Sequence, residues 1–403
     1  MQIEYSSYPI RQINSSDHHG KKDVFHNIIL VASDPFKGHL PLSVFEKTEY
    51  LAAEASRDSW QEFYITDPFS DNAIICSFGI IHKLGNHNNL NLLIGNVHTN
   101  PKYRKKGFIT YLISETIQKY ESVGQHQFSG DKSENKDADQ FIKENIDTSK
   151  YTYYWTLYSG VSDFYKRFGF EAIGEMDWLT FDEQDTGSLS TIEEVKEYPG
   201  SEVILLGDEA KSTIGKYFED PKYASYVNDT KNPLHRSTNF SVPMIGKFWI
   251  RDQVVCEYYD RRYSYVGLRI LHHDIDKETF VIISGAAEYN GILVHKLFTN
   301  LSTSESETLH KDLEQILKFL KLAYSDYEML KFDHIKSFKF MITTGDIHAK
   351  DAETKKTIVS ILLGQNWILD TSNKSFLPMM KEFGQDGVRD GVKWINNGFW
   401  CFG

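Results

Sequence analysis

The stretch NPKYRKKGFITYLI, residues 100–113, places four cationic side chains and one glycine between a run of apolar residues and a helical pattern. A turn whose backbone N–H groups point inward at the start of a helix attracts anions, because free amides and the helix dipole both favour negative charge. Gly107 lets the backbone approach a phosphate without a Cβ clash. The cations are Lys102, Arg104, Lys105 and Lys106. These residues alone fit both a phosphate site and a solvated basic turn.

The segments before this turn predict a helix followed by a β-meander. Residues 39–60, HLPLSVFEKTEYLAAEASRDSW, carry apolar side chains at helical spacing. Three β-rich runs follow, separated by turn formers, and they predict antiparallel strands. The runs are EFYITD, AIICSFGIIHKL and NLLIGNVHTN. After Gly107 the spacing becomes helical again, so a helix is expected directly behind the third strand.

The remainder of the first half predicts an insertion, a strand and a short helix. Residues 124–150 are polar and charged, which is typical of a surface insertion. YTYYWTLYSG, residues 151–160, predicts a strand. VSDFYKRFGFEAIGEMDWLTF, residues 161–181, predicts a short helix that ends at Gly169 and continues into strands.

The second half repeats the order of several strands, helix, strand and helix, without the glycine-and-cation turn. Strands are expected in FWIRDQVVCEYY (248–259), YVGLRILHH, TFVIISGAAE and SFKFMITTGD. Helices are expected in LHKDLEQILKFLKLAYSDYEML and AKDAETKKTIVSILLGQNW. We therefore predict a polar lead-in over 1–25, a domain over 26–185, a boundary near 186–200 and a second domain over 200–403.

Length and composition agree with a two-domain globular protein. The chain has 403 residues, 40% of them hydrophobic, and a net charge of -12, which argues against wrapping nucleic acid. Its first residues lack the order of a secretory signal and no stretch is long and apolar enough for a membrane span, so a cytoplasmic location is expected. Cys76, Cys256 and Cys401 form no CxxC pair and predict core thiols. Nothing in the sequence indicates the oligomeric state.

Two motifs resemble the GNAT superfamily of acetyl-CoA-dependent N-acetyltransferases. The family signature Q/R-x-x-G-x-G/A lies between the fourth strand and the third helix, and RKKGFI matches it with Arg104 and Gly107. VHTNPKYR fits the preceding strand end, and FYKRFGF, residues 164–170, matches the family's F-Y-x-x-x-G-F after the fifth strand. The chain departs at Ile109, where Gly or Ala is usual, and a branched side chain there narrows the pyrophosphate cradle.

The resemblance implies an α/β GNAT fold, a mixed central sheet flanked by helices, in the first domain. The second domain is similar to a degenerate GNAT-like half that lacks its own phosphate turn. By the same resemblance acetyl-CoA is the cofactor, its acetyl carbonyl binds a backbone amide between splayed strands, and no metal is required. The implied cofactor contacts are Val97, His98, Thr99, Arg104, Lys105, Lys106, Gly107, Phe108, Ile109 and Tyr158, the last replacing an Asn common in the family.

The resemblance also assigns the acid and leaves the general base open. Tyr165 takes the role of the family tyrosine that protonates the departing thiolate, a step that a positioned donor assists. An amine must lose a proton before it attacks, and many relatives use a strand Glu where this chain has apolar LLIG. His98 is one candidate base. The terminal carboxylate of Gly403 is the other, because some two-domain relatives use theirs and the tail VKWINNGFWCFG is too apolar to lie in water.

Among two-domain members the chain most resembles the fungal lysine N-acetyltransferases of lysine catabolism, which implies free L-lysine as the substrate, bound between the domains. Candidate residues for its ammonium group are Glu46, Glu49 and Glu288. Three alternatives stay open: polyamines as substrates, acetylation of protein lysines or N-termini, and a non-catalytic acyl-CoA-binding protein.

Overall fold

The structure of the protein is a computed structural model, and it describes most but not all of the chain. The described residues are 3–15, 18–38, 40–55, 59–85, 87–124, 146–161, 163–173, 177–183, 190–219, 232, 234–238, 242–260, 264–286, 291–327, 338–370 and 377–394. The predicted insertion at 124–150 therefore lies largely outside the described residues, as do Cys401 and the tail after residue 394.

The described ranges contain eight α-helices and seventeen β-strands. The helices are α1 (Lys22–Phe36), α2 (Leu42–Ala55), α3 (Phe108–Gly124), α4 (Ile192–Lys196), α5 (Asp208–Glu219), α6 (Val242–Tyr258), α7 (Ser306–Tyr327) and α8 (Ala352–Gly364). None of these helices is long and apolar enough to cross a membrane.

The first-half strands are β1 (Ile10–Asn14), β2 (Ser59–Asp67), β3 (Ala73–Leu84), β4 (Asn89–Thr99), β5 (Thr152–Ser159), β6 (Glu171–Ala172) and β7 (Trp178–Glu183). Those of the second half are β8 (Ser201–Leu205), β9 (His235–Arg236), β10 (Tyr265–His272), β11 (Lys277–Ala286), β12 (Gly291–Thr299), β13 (Phe338–Thr343), β14 (Ile347–Ala349), β15 (Ile368–Asp370), β16 (Leu377–Glu382) and β17 (Lys393–Trp394).

The two large sheets have the same strand order, and each contains one strand from the other half. The first sheet runs β1-β2-β3-β4-β5-β16-β6, and the second runs β8-β10-β11-β12-β13-β7-β15. In both, the first four strands are antiparallel and the fifth is parallel to the fourth. The sixth strand comes from the other half of the chain and pairs antiparallel with the fifth: β16 pairs with β5 in the first sheet, and β7 pairs with β13 in the second. These mixed sheets flanked by helices confirm the predicted GNAT-like fold class and its repetition in the second half.

The exchange corrects the predicted domain limits. Residues 178–183 fall inside the predicted first domain, but β7 pairs with β13 and β15 of the second sheet. Residues 377–382 fall inside the predicted second domain, but β16 lies between β5 and β6 of the first sheet. Contiguous limits such as 26–185 and 200–403 therefore do not separate the two sheets, because strand pairing is decided by contacts remote in sequence.

The predicted lead-in is also partly structured. Residues 10–14 form β1, which pairs antiparallel with β2, and α1 begins at Lys22, so the segment before residue 26 is an edge strand followed by a helix start. Ile13 and Phe25 are buried and supply apolar contacts that hold this segment. The polar residues that suggested a loose segment lie between Ile13 and Phe25 and on either side of them, and these two buried residues hold the segment in place.

Two further predictions of local structure are wrong. Residues 248–258 belong to α6 rather than to a strand. Phe248, Trp249, Asp252, Val255 and Cys256 are buried at helical spacing, so tertiary burial overrides their β-forming composition. The predicted short helix before residue 169 is reduced to one 3₁₀ turn, Tyr165–Phe168, which ends at Gly169 with φ 83°.

The hydrophobic residues form two clusters. The smaller one fills the space between α3 and one face of the first sheet, and includes Phe78, Leu112 and Trp155. The larger one continues from the opposite face, through α1 and α2, into the second half, and includes Trp60, Phe248 and Leu313. Cys76 and Cys256 are buried free thiols, as predicted. The two halves thus share one continuous core.

Candidate active site

The turn before α3 has the backbone of an anion cradle. Lys105 and Gly107 both have left-handed φ angles, 63° and 81°, so successive amides of the turn are reoriented toward the start of the helix. Arg104 is tied to the preceding strand, because its Nε donates to the carbonyl oxygen of Thr99 at 3.1 Å. Lys102, Arg104, Lys105 and Lys106 are all exposed and form a positive rim. This arrangement is complementary to a diphosphate.

Tyr5 covers part of this turn. Its hydroxyl donates to the carbonyl oxygen of Lys106 at 2.7 Å, and its ring stacks on Tyr111 with centroids 5.0 Å apart. A Cβ placed on Gly107 would collide with the Tyr5 hydroxyl, so only glycine fits there without displacement. Ile109, the departure from the family motif, is half-buried and packs against the cluster under α3.

Strands β4 and β5 separate where the predicted acetyl site lies. Their parallel pairing runs from Asn89–Thr152 to Ile94–Leu157 and then stops, while β4 continues to Thr99. On its other side β4 pairs with β3, with a register shift between Ser77 and Gly79. The shift coincides with Asn96, whose φ is 53°. The β4 edge facing β5 beyond Ile94, including Val97–Thr99, therefore remains available to a carbonyl oxygen.

Tyr165 lies in the 3₁₀ turn after β5 and is buried among aromatic rings. Its nearest ring contact is the edge-on Phe164, with centroids 4.9 Å apart, and Phe168 and Phe170 lie around it. Burial raises the pKa of its phenol to about 12, so Tyr165 carries its proton throughout the physiological pH range. A protonated phenol is the form that can donate to a leaving thiolate.

A cavity of about 200 Å³ lies between the two halves and reaches the separated strands. Its floor includes Glu62 on β2, Gly79 on β3, and Gly95 and Asn96 on β4. Its walls come from α1, α2 and α6, so residues of both halves line it. A pocket between the halves agrees with the location predicted for the substrate.

Glu62 is the titratable group at the floor of this cavity. Its side chain is buried, and Ser77 Oγ donates to Oε1 at 2.8 Å. Among the described residues no donor approaches Oε2, which lies over Gly79, 2.6 Å from where a Cβ would stand. Burial raises the pKa of the Glu62 carboxyl to about 8, with Ser77 acting in the opposite direction and Glu49 adding to the increase. A carboxyl with this pKa exchanges its proton near neutral pH.

His98 lies next to the Ser77 hydroxyl that donates to Glu62. Its ring nitrogens are 3.4 and 3.5 Å from Ser77 Oγ, and Nδ1 donates to the carbonyl oxygen of Asn96 at 3.1 Å. Burial lowers the pKa of the imidazole, so His98 is neutral at pH 7. His98, one of the two predicted bases, thus lies next to Ser77, and of His98 and Glu62 only Glu62 lines the cavity.

The other predicted residues are placed differently. Glu49 lines the cavity and accepts a 2.9 Å bond from Arg251, whereas Glu46 does not line it. The ring of Tyr158 packs against Trp394, in the cluster on the face opposite α3, so the structure replaces its predicted cofactor contact with a packing role. The candidates Glu288 and Gly403 lie outside the described residues.

In the second half, the gap between β12 and β13, which corresponds to the gap between β4 and β5, is closed by a further strand. β12 pairs with β13 only as far as Val294–Ile342, but β14 then pairs with β12 from Leu297–Ile347 onward. Lys296 Nζ contacts Asp346 Oδ1 at 2.8 Å in the buried gap between them. The start of α7 follows a Ser302–Glu305 capping box instead of a glycine turn, so a carboxylate occupies the anion-binding end. This agrees with the prediction that the second half lacks a phosphate turn.

Glu62 was missed by sequence reasoning, although a signal for it exists. Trp60, Glu62 and Tyr64 share one face of β2, and Phe63 and Ile65 share the other. Both faces are buried, so Glu62 is a carboxylate in an enclosed strand, between the buried polar Gln61 and the buried apolar Phe63. Buried carboxylates are rare without a partner or a function. In the part of the chain that the structure describes, no cluster of His, Cys, Asp or Glu could hold a metal ion.

Comparisons with known proteins give distant structural resemblances and no sequence match. The sequence matches no protein-family model and no curated protein. Among solved structures it is similar to a probable N-acyltransferase from Enterococcus faecalis V583, with 12% identity, a TM-score of 0.48, and coverage of 93% of this chain and 73% of that chain. It is similar to a tandem GNAT protein from the clavulanic acid biosynthesis pathway, with 9% identity, a TM-score of 0.46, and coverage of 94% and 99%.

Proposed function

We propose that the protein is an N-acetyltransferase that moves the acetyl group of acetyl-CoA to a small primary amine by direct attack in a ternary complex. The observation that carries this proposal is the cavity floor, where Glu62 and the separated segment of β4 meet. One side of this floor presents a carboxyl that can take a proton, and the other presents a strand edge that is unpaired among the described residues and can bind a carbonyl oxygen.

Cofactor binding is assigned to the turn before α3 and to the β4 edge. Amides at Lys105–Phe108 and the exposed cations around them suit the diphosphate of acetyl-CoA. The thioester carbonyl would accept from the β4 edge near Val97–Thr99, which is not paired with β5. The closed gap and the capping box in the second half support one cofactor site per chain within the described residues.

Glu62 is proposed as the general base. An alkylammonium with a pKa near 10.4 must lose a proton before its nitrogen attacks. A carboxyl with a pKa of about 8 is a stronger base than an ordinary glutamate, and Glu62 lines the cavity with no donor to Oε2 among the described residues. Glu62 takes the first proton of the ammonium and passes it to solvent. As the C–N bond forms and the C–S bond breaks, a second proton passes from nitrogen to Glu62, and the thiolate takes a proton from Tyr165, whose phenol keeps it throughout the working pH range. Tyr165 then recovers a proton from water and Glu62 releases its own, so that one proton is released per turnover.

Free L-lysine is the acceptor implied by the resemblance to lysine N-acetyltransferases. Four charged residues line the cavity, Glu49, Lys247, Arg251 and Asp252, and whether they admit a second ligand charge decides between lysine and a simpler amine. Polyamines and protein lysines are the competing acceptors. A cytoplasmic location remains part of the proposal, since it would supply both acetyl-CoA and free amino acids.

The test is free-thiol release from acetyl-CoA with L-lysine, spermidine and a lysine-containing peptide supplied separately. We expect release with at least one free amine and a loss of about a hundredfold or more in Glu62→Gln, the range for removing a positioned base. Glu46→Gln is the matched control, because it removes the same charge from α2 outside the cavity. Binding of CoA without release for any amine would instead identify a non-catalytic acyl-CoA-binding protein.

A further inference from the structure

We infer that the acceptor is an apolar monoamine, a primary amine on an aromatic or branched aliphatic body without a second charge. This inference rests on the proposed function and narrows its substrate class. It follows from two properties of the cavity between the halves: the composition of its wall, and the pairing of the charges that lie along it.

Much of the cavity wall is apolar, although Thr48, Gln61, Asn96 and the charged side chains of α2 and α6 also line it. Apolar side chains from α1, α2, β2 and α6 face the space together; they include Phe25, Ile28, Phe36, Phe45, Trp60 and Phe248. Most of these side chains are buried, so the wall is part of the larger core and is fixed in place. A ligand body that contacts this wall gains by leaving water only if it is itself apolar.

The charged side chains along the cavity already have partners. Arg251 donates to Glu49 at 2.9 Å, an ion pair that joins α6 to α2. Asp252 accepts from the amide of Gly285 at 2.8 Å, and Lys247 is engaged by a neighbouring group. A second ligand charge would have to break one of these contacts or remain unpaired in a desolvated space, and both are unfavourable.

Glu62 Oε2 is the exception. The carboxyl is buried and held by Ser77 through Oε1, while Oε2 has no donor among the described residues, and Glu62 lines the cavity. A cavity that offers one acceptor atom and a largely apolar wall is complementary to a ligand with one amine and an apolar body. Free lysine and linear polyamines carry at least one further charge, so they match this cavity less well.

The experiment compares amines that share a stem and differ by one charge. Pentylamine and 1,5-diaminopentane form the matched pair, with 2-phenylethylamine and L-lysine added, each tested by thiol release at saturating acetyl-CoA. We expect kcat/KM for pentylamine and 2-phenylethylamine to exceed that for 1,5-diaminopentane and L-lysine at least tenfold. Equal or higher values for the two multiply charged amines would overturn the inference and leave the proposed function intact.

Variants of one wall residue give an independent readout. Phe36 lines the cavity and is 37% exposed, so its replacement does not open a sealed core. Phe36→Ala should lower kcat/KM for 2-phenylethylamine at least threefold, and Phe36→Asp should shift the preference toward 1,5-diaminopentane. Phe69→Ala is the matched control, because Phe69 is 81% exposed and lies outside the cavity. An unchanged preference in both Phe36 variants would contradict the inference.

Measuring amine binding directly tests the apolar character of the cavity independently of catalysis. Calorimetric titration of the CoA complex with pentylamine and with 1,5-diaminopentane measures the cavity's preference even where turnover is absent. Tighter binding of pentylamine without thiol release would refute the proposed transferase activity but support the apolar character of the site. Equal or tighter binding of the diamine would refute the apolar character, whatever the outcome for turnover.

Discussion

Ser77 on β3 donates a 2.8 Å hydrogen bond to Oε1 of Glu62 on β2, a residue that lines the cavity, and no donor among the described residues approaches Oε2. The two residues lie on neighbouring antiparallel strands, and Glu62 itself is opposite Gly79. The missing side chain at position 79 makes room for the carboxyl. The cavity therefore ends in an oriented carboxyl whose free oxygen can accept a proton.

The pH dependence of turnover should report the Glu62 carboxyl. Because the pKa of Glu62 is raised to about 8, the basic form appears as pH rises through that value, and kcat/KM should rise with it. The hydrogen bond from Ser77 lowers the pKa of Glu62, so Ser77→Ala should move the rising limb to higher pH. The measurement is kcat/KM from pH 6 to 9.5 for both proteins, and a limb that does not move in Ser77→Ala would remove Glu62 from the assignment.

Folding stability should fall with pH because of the same carboxyl. The pKa of Glu62 is raised from 4.5 to about 8 in the folded state, so the folded state binds the proton more tightly. This stabilisation is complete below about pH 4.5 and is lost as pH rises through about 8. Glu62→Gln stays neutral, so its free energy of unfolding relative to wild type should increase between pH 6 and 9 by up to a few kcal/mol. Urea unfolding measures this difference, which should be absent for Glu46→Gln.

Tyr165→Phe tests the proton donor. The substitution keeps the ring among Phe164, Phe168 and Phe170 and removes only the hydroxyl. We expect kcat to fall about a hundredfold, with unchanged binding of acetyl-CoA. Tyr158→Phe is the control, because Tyr158 is a buried tyrosine on the opposite face of the sheet and its loss of a hydroxyl should leave kcat within about threefold. A Tyr165→Phe enzyme as fast as wild type would exclude this tyrosine as the acid.

Gly107→Ala should weaken CoA binding. The residue has a left-handed φ of 81°, which costs an alanine about 1 kcal/mol, and the added methyl collides with the Tyr5 hydroxyl. We expect calorimetry to show a rise in Kd of about tenfold, roughly 1.4 kcal/mol, with partial recovery in Gly107→Ala combined with Tyr5→Phe. Gly20→Ala is the control, because nothing lies within 4 Å of its Cβ position. Equal affinity in Gly107→Ala and Gly20→Ala would contradict the assignment of the turn.

The buried ion pair between Lys296 and Asp346, which fills the gap between β12 and β13 in the second half, should stabilise the fold and should not contribute to cofactor binding. Lys296 and Asp346 are both buried, so Lys296→Met leaves an uncompensated carboxylate and should lower the free energy of unfolding by about 3 to 5 kcal/mol. Lys311→Met removes an exposed cation paired with Glu307 and should cost no more than about 0.5 kcal/mol. Urea unfolding measures both. The Kd for CoA in Lys296→Met should equal that of wild type, and a large increase would place a cofactor contact in the second half.

The sequence by itself determined the local features. The turn at 100–107 could be predicted because glycine, cations and the start of a helix are adjacent in the chain, whereas the left-handed backbone of Lys105 does not follow from its residue type. The strands from β2 to β5 and the helices α2, α3, α7 and α8 follow from periodicity within one segment. The position of Tyr165 after β5 follows from a short motif.

Only the tertiary structure decided the features that depend on distant partners. The exchange of β7 and β16 between the sheets cannot be predicted from their sequences, because a strand's pattern specifies a buried face and not its partner. Residues 248–258 are helical because their burial repeats at helical spacing against both halves. In sequence Glu62 is marked only as a carboxylate inside a strand-forming run, and no local pattern shows what surrounds it. Burial raises its pKa, Gly79 makes room for it and Ser77 orients it, and all three effects come from the folding of neighbouring strands around it.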